Sequence, residues 1–258
     1  MRSLADDAAR LFEGARSVAV LTGSGMSQES GVPTFRDAQT GLWARYDPAE
    51  LATPEAFERH PARVFGWYLW RWKVARAAKP HSGYYALAEL GQAVPRFVII
   101  TQNVDGLHRR AGSEEVVELH GSLERFRCAA AGHPYDAELL EGLAADSQGE
   151  VEPPRCHRCS SPIRPGVVWF GEPLPAEALD RAWRAAQECD LFLVVGTSGL
   201  VYPAAELPWV ALRQGARLID INPSPTPFSP RADLWWNDTA GAALPELARA
   251  VAAISSKR

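Results

Sequence analysis

Five short runs dominated by β-branched and other apolar residues recur along the chain: Val18–Leu21, Phe97–Thr101, Val116–Leu119, Leu191–Val195 and Leu218–Ile221. A strand covered by helices on both faces of a parallel sheet needs apolar side chains whichever way they point, so it reads as a run and not as an alternation. Helix-period segments separate these runs. Leu4–Gly14 precedes the first, His81–Ala93 the second with Leu87 and Leu90 on one face, Ala176–Glu188 the fourth, and Ala204–Gln214 the fifth, where Gly215 supplies a stop. The order predicts an α/β fold: a doubly wound, Rossmann-like parallel sheet.

Two stretches break the rhythm. Residues 37–79 contain a helical, aromatic-heavy segment, Val64–Trp72, and no strand signal; residues 122–164 are rich in Ala, Gly and Pro and hold three of the four cysteines. Both read as insertions that form a smaller domain, one helical and one cysteine-bearing. The remaining segments, 1–36, 80–121 and 165–258, assemble the sheet domain.

A length of 258 residues suits one large domain with a small insertion, and a net charge of −4 gives no support for general nucleic-acid affinity. No apolar run approaches the roughly 18 residues needed to cross a bilayer. The opening Met-Arg-Ser-Leu-Ala-Asp-Asp lacks the apolar core of a signal peptide, so a cytoplasmic protein is expected. Cys128, Cys156, Cys159 and Cys189 then fit thiols or metal ligands better than disulfides, and Cys189, at a helix end entering the fourth strand, reads as a buried thiol.

Polar residues cluster where the apolar runs end. The first run leads into Thr22–Arg36, TGSGMSQESGVPTFR, in which Gly23 and Gly25 carry no Cβ to block a pyrophosphate. Gln28 stands where a dinucleotide fingerprint places its third glycine, and alone such a turn is also an ordinary tight turn. Thr101-Gln102-Asn103-Val104-Asp105 closes the second run, His120-Gly121 the third, Gly196-Thr197-Ser198 the fourth and Asn222-Pro223 the fifth. Ligands of open α/β sheets bind at the carboxyl ends of strands, where all of these groups fall. Asp105 has a second reading, as a cap for a helix over 106–110.

This set of motifs resembles the sirtuins, NAD-dependent protein-lysine deacylases, over nearly the whole chain from about Ala15 to about Leu247. Gly23–Arg36 is similar to the family's GAGxSxxSGIPxFR, with Ser24 where Ala is usual; Thr101–Asp105 is similar to TQNxD and His120-Gly121 to HG. The resemblance implies an inverted NAD, with Gly23, Ser24, Gly25 and Met26 at the pyrophosphate and Phe35 and Arg36 on the nicotinamide side. It places Gln102 and Asn103 at the ribose and anomeric carbon, Asp105 facing the carboxamide, and Thr197, Ser198 and Asn222 at the adenosine half. Ser27, Thr34, Trp43, Val104, Gly196, Pro223, Ser224 and Ala240 complete the implied cofactor set. His120 and Asn103 are the implied catalytic residues: the acyl oxygen of a modified lysine displaces nicotinamide, and His120 then acts as base on a ribose hydroxyl. An imidazole suits that task because its pKa of about 6.5 leaves it mostly neutral at working pH.

Tyr68 and Arg71 stand three apart, on one face of a helix. The pair resembles the Tyr-x-x-Arg of class III sirtuins, which prefer succinyl, malonyl and glutaryl groups, and Ala52 matches the small residue that widens their pocket. A guanidinium fork accepts a carboxylate bidentately and the phenol adds a donor, whereas an acetyl group leaves the Arg unmatched. Arg71 also reads as a solvated neighbour of Trp67, Trp70 and Trp72. For the peptide, the resemblance implies one edge at Val168, Trp169, Phe170, Gly171 and Glu172 and an opposite wall at Gly199–Tyr202, including Val201.

The family's structural zinc takes two C-x-x-C pairs. Cys156 and Cys159 keep the second, but the first runs Cys128-Ala129-Ala130-Ala131, so Ala131 replaces a ligand. The insertion is thus a degenerate zinc ribbon: either His133 supplies the fourth ligand, or the metal is weak or absent. NAD is the expected cofactor and acyl-lysine proteins or peptides the expected partners, with no nucleic acid, no membrane and a monomeric state. Two other readings share the motifs: ADP-ribosyl transfer or NAD hydrolysis, and a non-catalytic NAD or ADP-ribose sensor. The intact His120 and Asn103 weigh against the sensor.

Overall fold

The computed structural model describes residues 3–33, 47, 51–145 and 149–256. Thr34, Phe35, Arg36 and Trp43 lie outside the described residues. The chain opens with α1 (Leu4–Phe12), β1 (Ser17–Thr22) and the short α2 (Ser24–Gln28), followed by α3 (Pro54–Arg59), α4 (Pro61–Ala77) and α5 (Ser82–Gln92). It continues through β2 (Arg96–Thr101), α6 (Leu107–Arg110), β3 (Val116–Glu118), β4 (Gly121–Cys128), β5 (Pro134–Tyr135) and β6 (Ile163–Val167). Then come α7 (Ala176–Glu188), β7 (Leu191–Val195), α8 (Leu207–Arg213), β8 (Arg217–Ile221), β9 (Leu234–Trp236) and α9 (Ala240–Ser255).

Six parallel strands form one sheet in the order β3-β2-β1-β7-β8-β9. Thr22 pairs with Thr101 on one side and with Val195 on the other, so β1 and β7 flank the point where the strand order reverses. Their carboxyl ends open the crevice that this topology reserves for ligands. Val18, Val20, Leu193 and Ile219 pack on one face against α1, α5 and α9; Ala19, Leu21, Phe192 and Val194 pack on the other against α7 and α8. Both faces are buried, as the apolar runs require. A separate cluster gathers Phe65, Trp67 and Tyr68 of α4 with Leu123, Phe126 and Trp169 beside an antiparallel sheet of order β5-β4-β6.

Three elements depart from the sequence expectation. The segment 204–214 splits into a 3₁₀ turn, Ala204–Glu206, and α8, because Pro208 belongs in a first helical turn, where its missing N–H leaves no helical hydrogen bond unmade. The sixth strand, β9, has only three residues and too little length for a readable run. Helix α9 contains Pro245, a residue that usually marks a helix boundary and so hides the period.

Candidate active site

The loops after β1 and β7 cross in close contact. Gly23 N–H donates to Val195 O at 3.2 Å and Gly25 N–H to Gly196 O at 2.8 Å. A Cβ on Gly23 would lie 2.6 Å from Thr197 Cβ, and one on Gly196, whose φ is +57°, would lie 2.4 Å from Met26 N. The glycines are therefore demanded first by the contact between the two loops, and the approach of a ligand is a second use. Ser24 opens α2, where a helix start leaves N–H groups without helical partners, and it lines the cavity above this crossing.

The end of β2 is wired to both loops. Gln102 Nε2 donates to Thr197 Oγ1 at 3.0 Å, and Asn103 Nδ2 donates to Gly23 O at 2.8 Å and to Ser27 Oγ at 2.9 Å. Ser27 Oγ in turn donates to Asp105 Oδ2 at 2.6 Å, while Asp105 Oδ1 accepts Leu107 N–H at 2.9 Å. Asp105 thus caps α6, as its second reading expected, and its other oxygen joins the polar chain through Ser27. Its burial raises the carboxyl pKa, and the bonds from Ser27 and Leu107 act in the opposite direction.

His120 occupies the turn from β3 into β4. Gly121 after it has φ +75°, and a Cβ there would meet Gly166 O at 2.2 Å, which accounts for the His-Gly pair. His120 Nδ1 lies 3.0 Å from Gln102 O. A carbonyl oxygen only accepts, so Nδ1 carries the proton and Nε2 keeps its lone pair. Burial lowers the imidazole pKa and so favours the neutral ring, a shift partly countered by this hydrogen bond.

All of these groups face one cavity of about 1180 Å³. Among the described residues of the expected cofactor and substrate sets, all line it except Gly199 and Met26; the Met26 side chain is fully buried in the core under the sheet and its N–H donates to Gly23 O. On the cavity wall Tyr68 is 1% exposed, and burial pushes its pKa up to about 12, so it remains a neutral donor. The Arg71 guanidinium carbon stands 4.9 Å from the Trp67 ring centroid and 5.5 Å from that of Tyr68, at the cavity wall and not in bulk solvent. Ala52 O accepts Phe170 N–H at 2.9 Å, tying the small residue to the 168–172 segment. That segment is clamped by Arg164, which is buried and paired with both carboxylate oxygens of Glu172 at 2.6 and 2.9 Å.

Two positioning residues escaped the sequence reading. Asp220, fully buried in β8, accepts from Asn222 Nδ2, from Thr226 Oγ1 at 2.6 Å and from Ser229 Oγ, which fixes the loop carrying Asn222. An acid inside an apolar strand run was the available signal. Glu29 accepts Gly241 N–H at 2.7 Å and Thr239 Oγ1–H at 3.0 Å and so seats the start of α9 beside Ala240.

The cysteine-bearing insertion resolves the open ligand question in geometry. The ligand atoms of Cys128, His133, Cys156 and Cys159 all lie within 4.8 Å of one another. His133 Nδ1 is 3.5 Å from the sulfurs of Cys128 and Cys156, and the sulfurs of Cys159 and Cys128 are 3.7 Å apart. Ligands held about 2.0–2.3 Å from one tetrahedral centre stand roughly 3.5–3.8 Å apart, so the donor set and its spacing fit zinc. Cys189 is buried elsewhere, its pKa pushed up to about 12 by burial.

The profile of the Sir2 family matches residues 23–203. A protein of Methylococcus capsulatus named NAD-dependent protein deacylase is 48% identical over 239 residues, covering 92% of this chain and 93% of its own length. A solved Sir2 homologue in complex with NAD superposes with a TM-score of 0.88 at 42% identity, over 96% of this chain and 94% of the other. A mutant Sir2 homologue in complex with 2′-O-acetyl ADP ribose superposes with a TM-score of 0.87 at 42% identity, over 99% and 98% of the two chains. The chain belongs to the Sir2 family. Among the described residues no helix is long and apolar enough to cross a membrane.

Proposed function

We propose that this protein is an NAD-dependent protein-lysine deacylase that favours acidic acyl groups: succinyl, malonyl and glutaryl. The observation that carries the reading is the His120–Gln102 hydrogen bond, which leaves a neutral Nε2 in the same cavity as the crossed glycine loops. The cavity's size and its uneven polarity, with N–H and hydroxyl groups at the strand ends, fit a dinucleotide. Ser24 and Gly25 would border the pyrophosphate, Gln102 and Asn103 the nicotinamide ribose, and Thr197, Ser198 and Asn222 the adenosine half. NAD when bound supplies an activated ribose carbon that accepts the acyl oxygen as nicotinamide departs. Asn103 is immobilised by two acceptors, so it orients at no entropic cost during turnover. His120 Nε2 takes a proton, and the Gln102 carbonyl stabilises the cation that results.

Arg71 and Tyr68 read the acyl end: two or three donors meet a carboxylate that an acetyl group lacks. Peptide backbone lies between the 168–172 edge and the 199–202 wall, whose exposed Phe170, Leu200 and Tyr202 give contact with little sequence readout. The Cys128–His133–Cys156–Cys159 set would hold a structural zinc; it lies outside the cavity and supplies no catalytic group. The domain division into 1–36, 80–121 and 165–258 against 37–79 and 122–164 is part of this reading, supported by the separate hydrophobic cluster around α4. A monomeric, cytoplasmic enzyme is likewise proposed.

The test is product identity. Mass spectrometry of a reaction with NAD and a succinyl-lysine peptide is expected to find free lysine peptide and succinyl-ADP-ribose in equal amounts. ADP-ribose attached to protein or peptide, with the acyl group intact, would contradict the reading.

A further inference from the structure

The cavity wall holds a buried donor that the reading above does not use. Trp169 is 3% exposed, yet its Nε1–H has no hydrogen-bond partner among the described residues. A buried N–H left without an acceptor is disfavoured, and at a cavity wall its partner arrives with a ligand. The indole has little freedom to turn away. The Arg164 guanidinium stacks 3.3 Å from its ring centroid, Phe57 and Tyr68 pack at 5.2 and 6.1 Å, and its backbone N–H donates to Glu172 Oε2 at 2.8 Å.

The chemistry of the neighbours selects the ligand. The indole shares the cavity wall with Tyr68 and Arg71; the Tyr68 side chain is close enough to interact with the Trp169 N–H, but no hydrogen bond of adequate geometry is completed. Of the described carboxylates beside them, Glu172 is engaged by Arg164 and the Trp169 backbone, and Asp105 by Ser27 and Leu107. A cluster of donors calls for an incoming group with several lone pairs, and a carboxylate offers about four acceptor sites. The geometry points to Trp169 as a specificity-determining residue whose indole N–H donates to the distal carboxylate of a dicarboxylic acyl-lysine, alongside Tyr68 and Arg71. This rests on the acidic-acyl reading proposed above. The Arg164–Glu172 clamp then has a purpose beyond folding, since it aims this donor before substrate enters.

Trp169→Phe removes the N–H and keeps a flat aromatic ring. With succinyl-lysine and acetyl-lysine versions of one peptide, the succinyl-to-acetyl ratio of kcat/KM is expected to fall about tenfold, chiefly through KM. In wild-type protein without NAD, where no turnover occurs, the Trp169 indole proton resonance is expected to move downfield on adding the succinyl peptide and not the acetyl one. That measurement needs no variant to fold. A ratio within about twofold of wild type, or an indole resonance that responds alike to both peptides, would overturn the inference. If Arg71→Met collapses the ratio while Trp169→Phe does not, the acidic-acyl reading stands and this inference alone fails. If wild type does not turn over the succinyl peptide, both fail.

Discussion

His120 Nδ1 and the carbonyl oxygen of Gln102 sit 3.0 Å apart, which decides the tautomer and leaves Nε2 as the base. Burial lowers the pKa of that ring below the ordinary histidine value, so the acidic limb of kcat/KM should have its midpoint below pH 6.5. The same shift has a sign for stability. The unfolded chain holds the proton more tightly, so the contribution is complete above pH 6.5 and is lost as pH falls toward the folded pKa. A pH–rate profile with an acidic midpoint above 6.5 would contradict the assignment.

Ser27→Ala removes the link between Asn103 and Asp105. Asn103 Nδ2 loses one acceptor and Asp105 Oδ2 its donor, with Asp105 only 4% exposed. We expect a loss of about 1–3 kcal/mol in urea unfolding and a higher KM for NAD. Unchanged stability and KM would show that the chain of hydrogen bonds positions nothing.

Arg164→Met leaves Glu172 beside apolar rings without its partner. The pair is nearly dry on the Arg side, and a broken buried pair costs about 3–5 kcal/mol. Arg164→Met with Glu172→Gln should recover a good part of that loss, because no uncompensated charge remains. Denaturant midpoints of the two variants decide it; equal midpoints would mean that the charge on Glu172 is not what destabilises the single variant.

Zinc content follows from the four clustered ligands. Protein purified without chelator should hold one zinc per chain by elemental analysis, His133→Ala should hold far less, and His133→Cys should retain it. A chelator should lower the melting temperature of the native protein and leave that of His133→Ala unmoved. Metal-free wild type after growth in zinc would remove the site.

The parallel sheet was legible because its strands are buried on both faces: Val18–Leu21 and Leu191–Val195 admit almost no other reading. The strand-end motifs were legible for the same reason, since polar residues that close an apolar run must gather on one rim. What escaped was set by tertiary contact. Gly23 and Gly196 needed each other's loops to show why they are glycine, and the sequence offered His133 as a fourth ligand but could not decide between that and a missing metal until the fold brought the four groups together. Asp220 carried a signal, an acid inside a strand, but its partners Thr226 and Ser229 become visible only when the chain folds back. The Trp169 indole is the extreme case: an unpaired donor is a property of its surroundings, not of its neighbours in sequence.

The central claim is that a neutral His120 acts on NAD only when an acyl-lysine is present. Nicotinamide release should therefore be measured in wild type and in His120→Ala, with and without a succinyl-lysine peptide. The account predicts release that depends on the peptide in wild type and a loss of free lysine peptide of about 100-fold or more in His120→Ala, with NAD still bound. Nicotinamide released equally without peptide, or full deacylation by His120→Ala, would contradict it.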